Sequence, residues 1–181
     1  MRDYVKYAGI LFAITFVTAL LLGVVNNFTA PVIEKNTANK MTAAVETVVE
    51  GKIDAATAIE YPVQGESTVQ SITSYINDSG KTVYAVNVNP VGYGGDIEMM
   101  VGLDDSGVVT GVEIINMSET PGLGAVAKDN TQWLSQFLGD GSNELDAITG
   151  ATITSKAVQQ GVNDARNQVN KIIITGGEAV E

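Results

Sequence analysis

Residues 68–115 read TVQSITSYINDSGKTVYAVNVNPVGYGGDIEMMVGLDDSGVVTGVEII. Two turn signals divide this stretch, Asn77-Asp78-Ser79-Gly80 and Asp104-Asp105-Ser106-Gly107. Both are built from residues that accept tight or left-handed backbone. Thr68 to Ile76 and Lys81 to Val88 flank the first turn, and Ile97 to Leu103 and Val108 to Ile115 flank the second. These runs are β-like, and in the second Val83 and Ala85 alternate with a polar or aromatic set. The spacing predicts an antiparallel meander of about four strands.

Downstream, Leu123 to Lys128 and Gln132 to Leu138 read as short helices, the second carrying Trp133, Leu134, Phe137 and Leu138 as its apolar residues. Asp140-Gly141-Ser142 reads as a loop. Thr154-Ser155 then cap a helix running to about Ile172, with Ala157, Val158, Val162, Ala165 and Val169 facing inward. Upstream, Lys52 to Glu66 reads as irregular. A helix restarts at Thr29-Ala30-Pro31, with Thr29 as N-cap and Pro31 in the first turn, and Ile33, Met41, Ala44, Val45, Val48 and Val49 share a face. The fold class is α+β, a small antiparallel sheet packed with helices behind one N-terminal membrane-spanning helix.

That span lies between Ala8 and Val25, roughly 18 residues without a charge. As a helix it is about 27 Å long at 1.5 Å per residue, against a hydrocarbon core of about 30 Å. Arg2 and Lys6 precede it, and no positive charge follows until Lys35. The positive-inside rule puts the N-terminus in the cytoplasm and the main domain outside the cell membrane. A cleaved signal peptide is disfavoured, because no small-x-small cleavage site follows; the chain reads Val25-Asn26-Asn27-Phe28. Thr15 and Thr18 within the span are expected to bond back to their own helix. The expected organisation is 1–28 for the cytoplasmic N-terminus and span, 29–51 for a stalk helix, 52–175 for the outer domain and 176–181 for a tail.

The chain of 181 residues carries a formal net charge of −11 and neither cysteine nor histidine. The charge opposes a nucleic-acid partner. The missing thiols and imidazoles exclude disulfides, thiolate-held iron–sulfur clusters, histidine-ligated haem, ordinary zinc sites and the usual general base. No metal site and no catalytic side chain is expected. Redox work would require a cofactor held without either ligand type.

The segment with most chemical content is Asp146-Ala147-Ile148-Thr149-Gly150-Ala151-Thr152-Ile153-Thr154-Ser155. Small residues and hydroxyls gather at the mouth of the last helix. Its first N–H groups and a partial charge of about +0.5 suit a phosphate. The simpler reading is a Ser/Thr-rich helix cap without a ligand, and the residues alone leave both open. This segment resembles the flavinylation motif of the FMN-binding domain family, Asp, a short spacer, then Ser/Thr-Gly-Ala-Thr-x-Thr/Ser. That family includes the G subunit of the Rnf complex and the C subunit of the sodium-pumping NADH:quinone oxidoreductase. The resemblance implies FMN joined through its phosphate to Thr152 by a flavin transferase. Thr154 is the rival acceptor, and Thr149, Gly150, Ala151 and Ser155 complete the motif.

Two further stretches resemble the same family. Val91-Gly92-Tyr93-Gly94-Gly95-Asp96-Ile97 is similar to its Gly-Tyr-Gly-Gly turn, and Met117 to Ala125 is similar to its Glu-Thr-Pro-Gly-Leu-Gly stretch. Alone, the first is an ordinary glycine turn and the second a strand-to-helix loop. In the flavin reading, Tyr93 and Gly94 let the ring approach, while Glu119, Thr120 and Leu123 line its pocket. The chain lacks the larger insertions of the quinone-reductase subunit, which points to the Rnf G subunit. The resemblance implies an electron-carrier subunit, without autonomous activity, of a membrane complex that couples ferredoxin:NAD electron transfer to Na⁺ or H⁺ transport. Implied partners are the other subunits, a flavin transferase and membrane lipid. The alternatives are the quinone-reductase subunit, an anchored binding module without redox activity, or a reversible phosphate receptor.

Three features take the plainer reading. Trp133 is expected in the core rather than stacked on a flavin. Asp96, Glu98, Asp104 and Asp105 do not have the spacing of an EF-hand. Asn27-Phe28-Thr29 fits a glycosylation sequon but abuts the membrane.

Overall fold

The computed structural model describes residues 2–141 and 145–176; Ser142 of the expected loop and residues 177–181 of the expected tail lie outside the described residues. The chain divides into two compact units, Met1–Lys40 and Met41–Glu181.

The first unit belongs to α1, a helix that runs from Arg2 to Val48 with Pro31 inside it. The segment from Lys6 onward is long and apolar enough to cross a membrane. Its large apolar side chains, among them Leu11, Phe12, Phe16 and Leu22, are exposed. Thr15 donates to Leu11 O at 3.0 Å and Thr18 to Ile14 O at 2.7 Å, so both hydroxyls are satisfied within the helix as expected. The expected restart at Thr29 is not present. Thr29 Oγ1 donates backward to Val25 O at 3.0 Å instead of capping a new helix. Pro31 removes one N–H from the ladder without ending the helix. Ile33, expected on the packing face, is exposed.

The second unit is built on five antiparallel strands in the order β1-β2-β3-β4-β5, each hydrogen-bonded to its neighbour in the chain. They are β1 Ile53–Tyr61, β2 Val69–Asn77, β3 Thr82–Val88, β4 Ile97–Leu103 and β5 Val109–Met117. The last four match the expected meander. β1 falls where the sequence reads as irregular. Its Ala, Asp and Glu residues have low strand propensity, and its register shifts between Asp54 and Ile59. In that irregular segment a side chain enters the ladder, since Thr57 Oγ1 accepts from Ile76 N at 2.8 Å and donates to Asp54 O at 2.6 Å.

The sheet is covered on both faces, which explains why β3 and β4 are buried almost throughout. Tyr84, Val86, Val88, Met99, Val101 and Leu103 pack with α4 (Thr152–Thr175) and with Trp133, Leu134 and Phe137. Val83, Ala85, Met100 and Ile115 alternate to the other face and pack with Ala44, Val45, Val48 and Val49 at the end of α1. On that face Gly102 and Gly111 are cross-strand partners. A Cβ on Gly102 would collide with the carbonyl of Val48, and one on Gly111 would lie 2.5 Å from Val48 Cα. The paired glycines admit the helix backbone directly onto the sheet.

Between β5 and α4 lie α2 (Val126–Asp129), α3 (Thr131–Leu134) and a 3-10 turn, Ser135–Phe137. Trp133 is buried in the larger core, edge-on to Phe137 with ring centroids 5.0 Å apart. Its Nε1 donates to Asp146 O at 2.7 Å. α4 starts at Thr152, two residues before the expected cap. Ala151 precedes it without a side-chain cap, and Thr154 and Ser155 lie inside the first turn. Gly176, with φ +62, closes the helix in the left-handed conformation common at helix ends.

Candidate functional site

Three loops and the start of α4 converge at one edge of the second unit. The first loop is the glycine turn between β3 and β4. Val91 and Asp96 form an isolated bridge across it, and Gly92 N donates to Gly95 O at 2.8 Å. The second follows β5, where Leu123 N and Ala125 N both donate to Thr120 O, at 3.1 and 3.2 Å. The third is Asp146 to Ala151. Gln136 Oε1 accepts from Asp146 N at 2.7 Å, and Asp146 O accepts the indole N–H of Trp133. Ser155 Oγ accepts from Ile148 N at 3.0 Å and donates to Ala151 O at 2.9 Å. Ser155 is therefore a brace that folds the loop against the helix, where the sequence suggested a cap. Gly150 turns the chain at φ +79 into α4.

These elements enclose a cleft of about 510 Å³ lined by Tyr93, Glu119, Thr120, Leu123, Gly124, Gly150, Ala151, Thr152, Ile153 and Thr154. Eight of those ten were named from the sequence; Thr149, Gly94 and Ser155, named with them, do not line it. Gly124 and Ile153 were missed. Both sit inside stretches already singled out, but glycine and isoleucine carry no chemical signal at such a position. Thr149 is exposed, and Gly94 enters through its backbone, donating to Glu119 Oε1 at 3.0 Å.

Glu119 is 7 % exposed and accepts two hydrogen bonds. Beside the Gly94 N–H, its Oε2 accepts from Thr154 Oγ1 at 2.7 Å. Glycines crowd it on both sides. A Cβ on Gly92 would collide with its Oε1, and one on Gly124 would lie 2.6 Å from both its Oε2 and Thr154 Oγ1. The two motif threonines are thus unlike. Thr154 is 1 % exposed with its hydroxyl engaged. Thr152 is exposed on the cleft wall. Ser155 N donates to Ala151 O, the first intrahelical bond of α4. The N–H groups of Thr152, Ile153 and Thr154 precede it and have no intrahelical acceptor.

The cleft matches a phosphorylated aromatic ligand in size and composition. Small-molecule sites commonly occupy about 300–1,000 Å³. An uncapped helix start serves a phosphate, while the exposed side chains of Tyr93 and Leu123 offer apolar surface to a ring.

The acidic residues separate in space. Asp96 and Glu98 line a polar depression with Gln70, Asn87, Asn89 and Asn116. Asp104 sits in its hairpin, where Oδ1 accepts from Ser106 N and Val108 N, each at 2.9 Å. Among the described residues, no three His, Cys, Asp or Glu side chains converge as for a metal.

Comparison with known proteins agrees with this geometry. Residues 92–167 match the FMN-binding domain family, and residues 2–48 match the RnfG N-terminal region. The first match spans the glycine turn, the Glu119 loop and the start of α4, and it assigns FMN as the cofactor. The G subunit of the Na⁺-translocating ferredoxin:NAD⁺ oxidoreductase complex of Acetobacterium woodii is 36 % identical, covering 87 % of this chain and 87 % of its own. The proton-translocating counterpart from Clostridium ljungdahlii is 42 % identical over 54 % of this chain and 58 % of its own. The G subunit of the ion-translocating oxidoreductase complex of Erwinia tasmaniensis is 28 % identical over 90 % of this chain and 88 % of its own. Among solved structures, NqrC of Shewanella oneidensis matches 65 % of this chain and 71 % of its own at 20 % identity and a TM-score of 0.47. With matches to the FMN-binding domain and to the RnfG N-terminal region, and a relative this similar over nearly its whole length, the chain belongs to the G-subunit family of ion-translocating oxidoreductase complexes.

Proposed function

We propose that this chain is an electron-carrier subunit that holds FMN as a phosphoester on Thr152. Its place is a membrane complex coupling electron transfer between ferredoxin and NAD to Na⁺ or H⁺ transport, with the other subunits as its partners. The relatives bear that name with either ion, so the coupling ion stays open between the two. The observation that carries the reading is the contrast between the threonines. Thr152 is exposed and lines the cleft at the start of α4, whose first N–H groups have no intrahelical acceptor, while the hydroxyl of Thr154 is buried and donates to Glu119.

Bound FMN supplies reversible one- and two-electron chemistry that no side chain of this protein provides. The chain's own residues do the rest. Thr152 anchors the cofactor, and the start of α4 favours the remaining phosphate charge by roughly 0.3–1 kcal/mol. Leu123 and Tyr93 give apolar surface to the ring. Thr120 stands exposed at the cleft wall, where its hydroxyl can reach a polar ring edge.

Attachment forms one bond from Thr152 Oγ to phosphorus, and the hydroxyl proton leaves. The donor must be a flavin with an activated phosphate, an anhydride, whose nucleotide departs as the bond forms. A flavin transferase catalyses the step and takes up the proton. The net gain is one FMN less water.

The charge pattern around α1 supports an N-terminus in the cytoplasm, a single pass through lipid and a main domain outside the cell membrane. A domain placed there could not replenish lost flavin from the cytosol, which gives the covalent bond its purpose.

The test is direct. Full-length protein made with an active flavin transferase is denatured, washed and run on a gel. It is expected to fluoresce as flavin and to exceed its sequence mass by one FMN less water, with the added mass mapped to the peptide holding Thr152. Thr152→Ala is expected to remove both signals. Loss in Thr154→Ala with retention in Thr152→Ala would move the acceptor to Thr154, and unmodified native protein would remove the reading altogether.

A further inference from the structure

We propose that Glu119 is the positioning residue of the flavin attachment site. It acts as a two-sided hydrogen-bond acceptor that holds the first turn of α4 against the glycine turn, so that Thr152 is presented in one place. This rests on the reading of Thr152 as the acceptor and deepens it.

In the flavin reading Glu119 lines the ring pocket, and in the structure it does line the cleft. Both oxygens of its carboxylate also accept hydrogen bonds from the protein. One oxygen accepts from Thr154 Oγ1 at 2.7 Å, inside the first turn of α4 and two residues beyond the acceptor. The other accepts from Gly94 N at 3.0 Å, in the turn between β3 and β4. The partners lie 35 and 25 positions away along the chain. A single side chain therefore joins three segments that touch the cleft.

The surroundings are shaped for this role. Gly92, Gly94 and Gly124 are each so close to Glu119, its neighbour Ser118 or Thr154 that no Cβ fits. Such close packing fixes the carboxylate where an exposed one would swing. The start of α4 has no side-chain cap of its own. Ser155 braces the first turn only to its own preceding loop. The tie from that turn to the β5 loop and the glycine turn runs through the Glu119–Thr154 bond. A threonine that must meet an activated phosphate in line gains from such fixing, because small displacements of reacting groups are costly in rate.

A glutamine can keep both contacts. Its carbonyl accepts from Gly94 N–H, and its amide donates to Thr154 Oγ1, whose hydroxyl turns to suit. An alanine can keep neither. The positioning role therefore separates Glu119→Gln from Glu119→Ala.

The experiment uses the full-length chain in detergent, prepared free of flavin. A purified flavin transferase is added with flavin adenine dinucleotide, a common flavin anhydride. The initial rate of covalent attachment is read by gel fluorescence and intact mass, with thermal melting recorded on the same samples. Folded Glu119→Ala is expected to be modified about tenfold more slowly or worse, and Glu119→Gln within about threefold of the natural protein. Thr154→Val is expected to be slowed like Glu119→Ala, and Thr154→Ser to behave like the natural protein.

If Glu119→Ala is folded and modified at the natural rate, the proposal is overturned. It is equally overturned if Glu119→Gln is slowed as much as Glu119→Ala. Should Glu119→Ala fail to fold, the Thr154 pair decides: equal rates in Thr154→Val and Thr154→Ser overturn it, and a slow Thr154→Val beside a normal Thr154→Ser supports it. Thr152→Ala, run in parallel, isolates the underlying reading, since flavin on that variant would displace the acceptor whatever Glu119 does.

Discussion

The hydroxyl of Thr110 on β5 donates a 2.6 Å hydrogen bond to the carbonyl oxygen of Val48, the last residue of α1. A carbonyl at a helix end has no intrahelical donor, and here the sheet supplies one. Directly beneath, Gly102 and Gly111 leave room for the helix backbone. The end of α1 is thus seated on the sheet by shape and by one bond.

Gly102→Ala is therefore expected to destabilise the domain by about 1–3 kcal/mol, the usual cost of forcing a methyl group into a packed site. Thr110→Val is expected to cost about 1 kcal/mol for the lost bond. Denaturant midpoints of the full chain in detergent check both, and a neutral Gly102→Ala would contradict the seat described.

Gly124→Ala places a methyl group against the Glu119 carboxylate and the Thr154 hydroxyl at once. The expected result is a loss of about 1–3 kcal/mol in stability, together with less covalent flavin per folded molecule. Melting curves and gel fluorescence on the same sample measure the two effects separately.

Burial holds the Tyr84 phenol above its ordinary value of 10.0, with neighbouring Tyr61 and Asp105 adding to the effect. The unfolded chain then loses this proton first as pH rises. The native state binds more protons, so stability is intact below about pH 10 and falls as pH climbs through and beyond it. Tyr84→Phe removes this contribution. Denaturant titrations across the alkaline range are expected to show a shallower decline in the variant.

The boundary at Lys40/Met41 separates the two compact units. A chain starting at Met41 keeps Ala44, Val45, Val48 and Val49, which cover one face of the sheet. It is expected to stay in solution without detergent, to unfold cooperatively, and to accept flavin at Thr152. Aggregation, or loss of the cooperative transition, would count against the independence of the second unit.

The sequence was most legible where local chemistry and tertiary packing agree. Apolar runs set off by two Asp/Ser/Gly turns mark β2 to β5, and the charge-free run marks the membrane-length part of α1. Legibility failed at β1, whose alanines and acids have weak strand preference and whose ladder borrows a threonine side chain. It failed again at Thr29 and at Thr154-Ser155. A threonine before an apolar run reads as a cap, yet Thr29 bonds backward and Thr154 is drawn inward by Glu119 from 35 positions away. No local pattern contains that partner. The cleft itself was legible because its residues cluster in three short stretches, but the division of labour within them was not. Which threonine is open and which is held depends on a contact that only the folded chain creates.

The order of the strands has a kinetic consequence. Each pairs with its predecessor along the chain, so the sheet closes only short loops, whose entropic cost is small. The far-reaching links are of another kind: Gln168 Nε2 to Gln64 O across 104 positions, Asp164 to Thr68 across 96, and Thr110 to Val48 across 62. Proteins dominated by near-neighbour pairing fold quickly for their size. The meander is accordingly expected to form first as a platform, with the two flanking helices arriving afterwards, so that the cleft comes into being only when α4 lands.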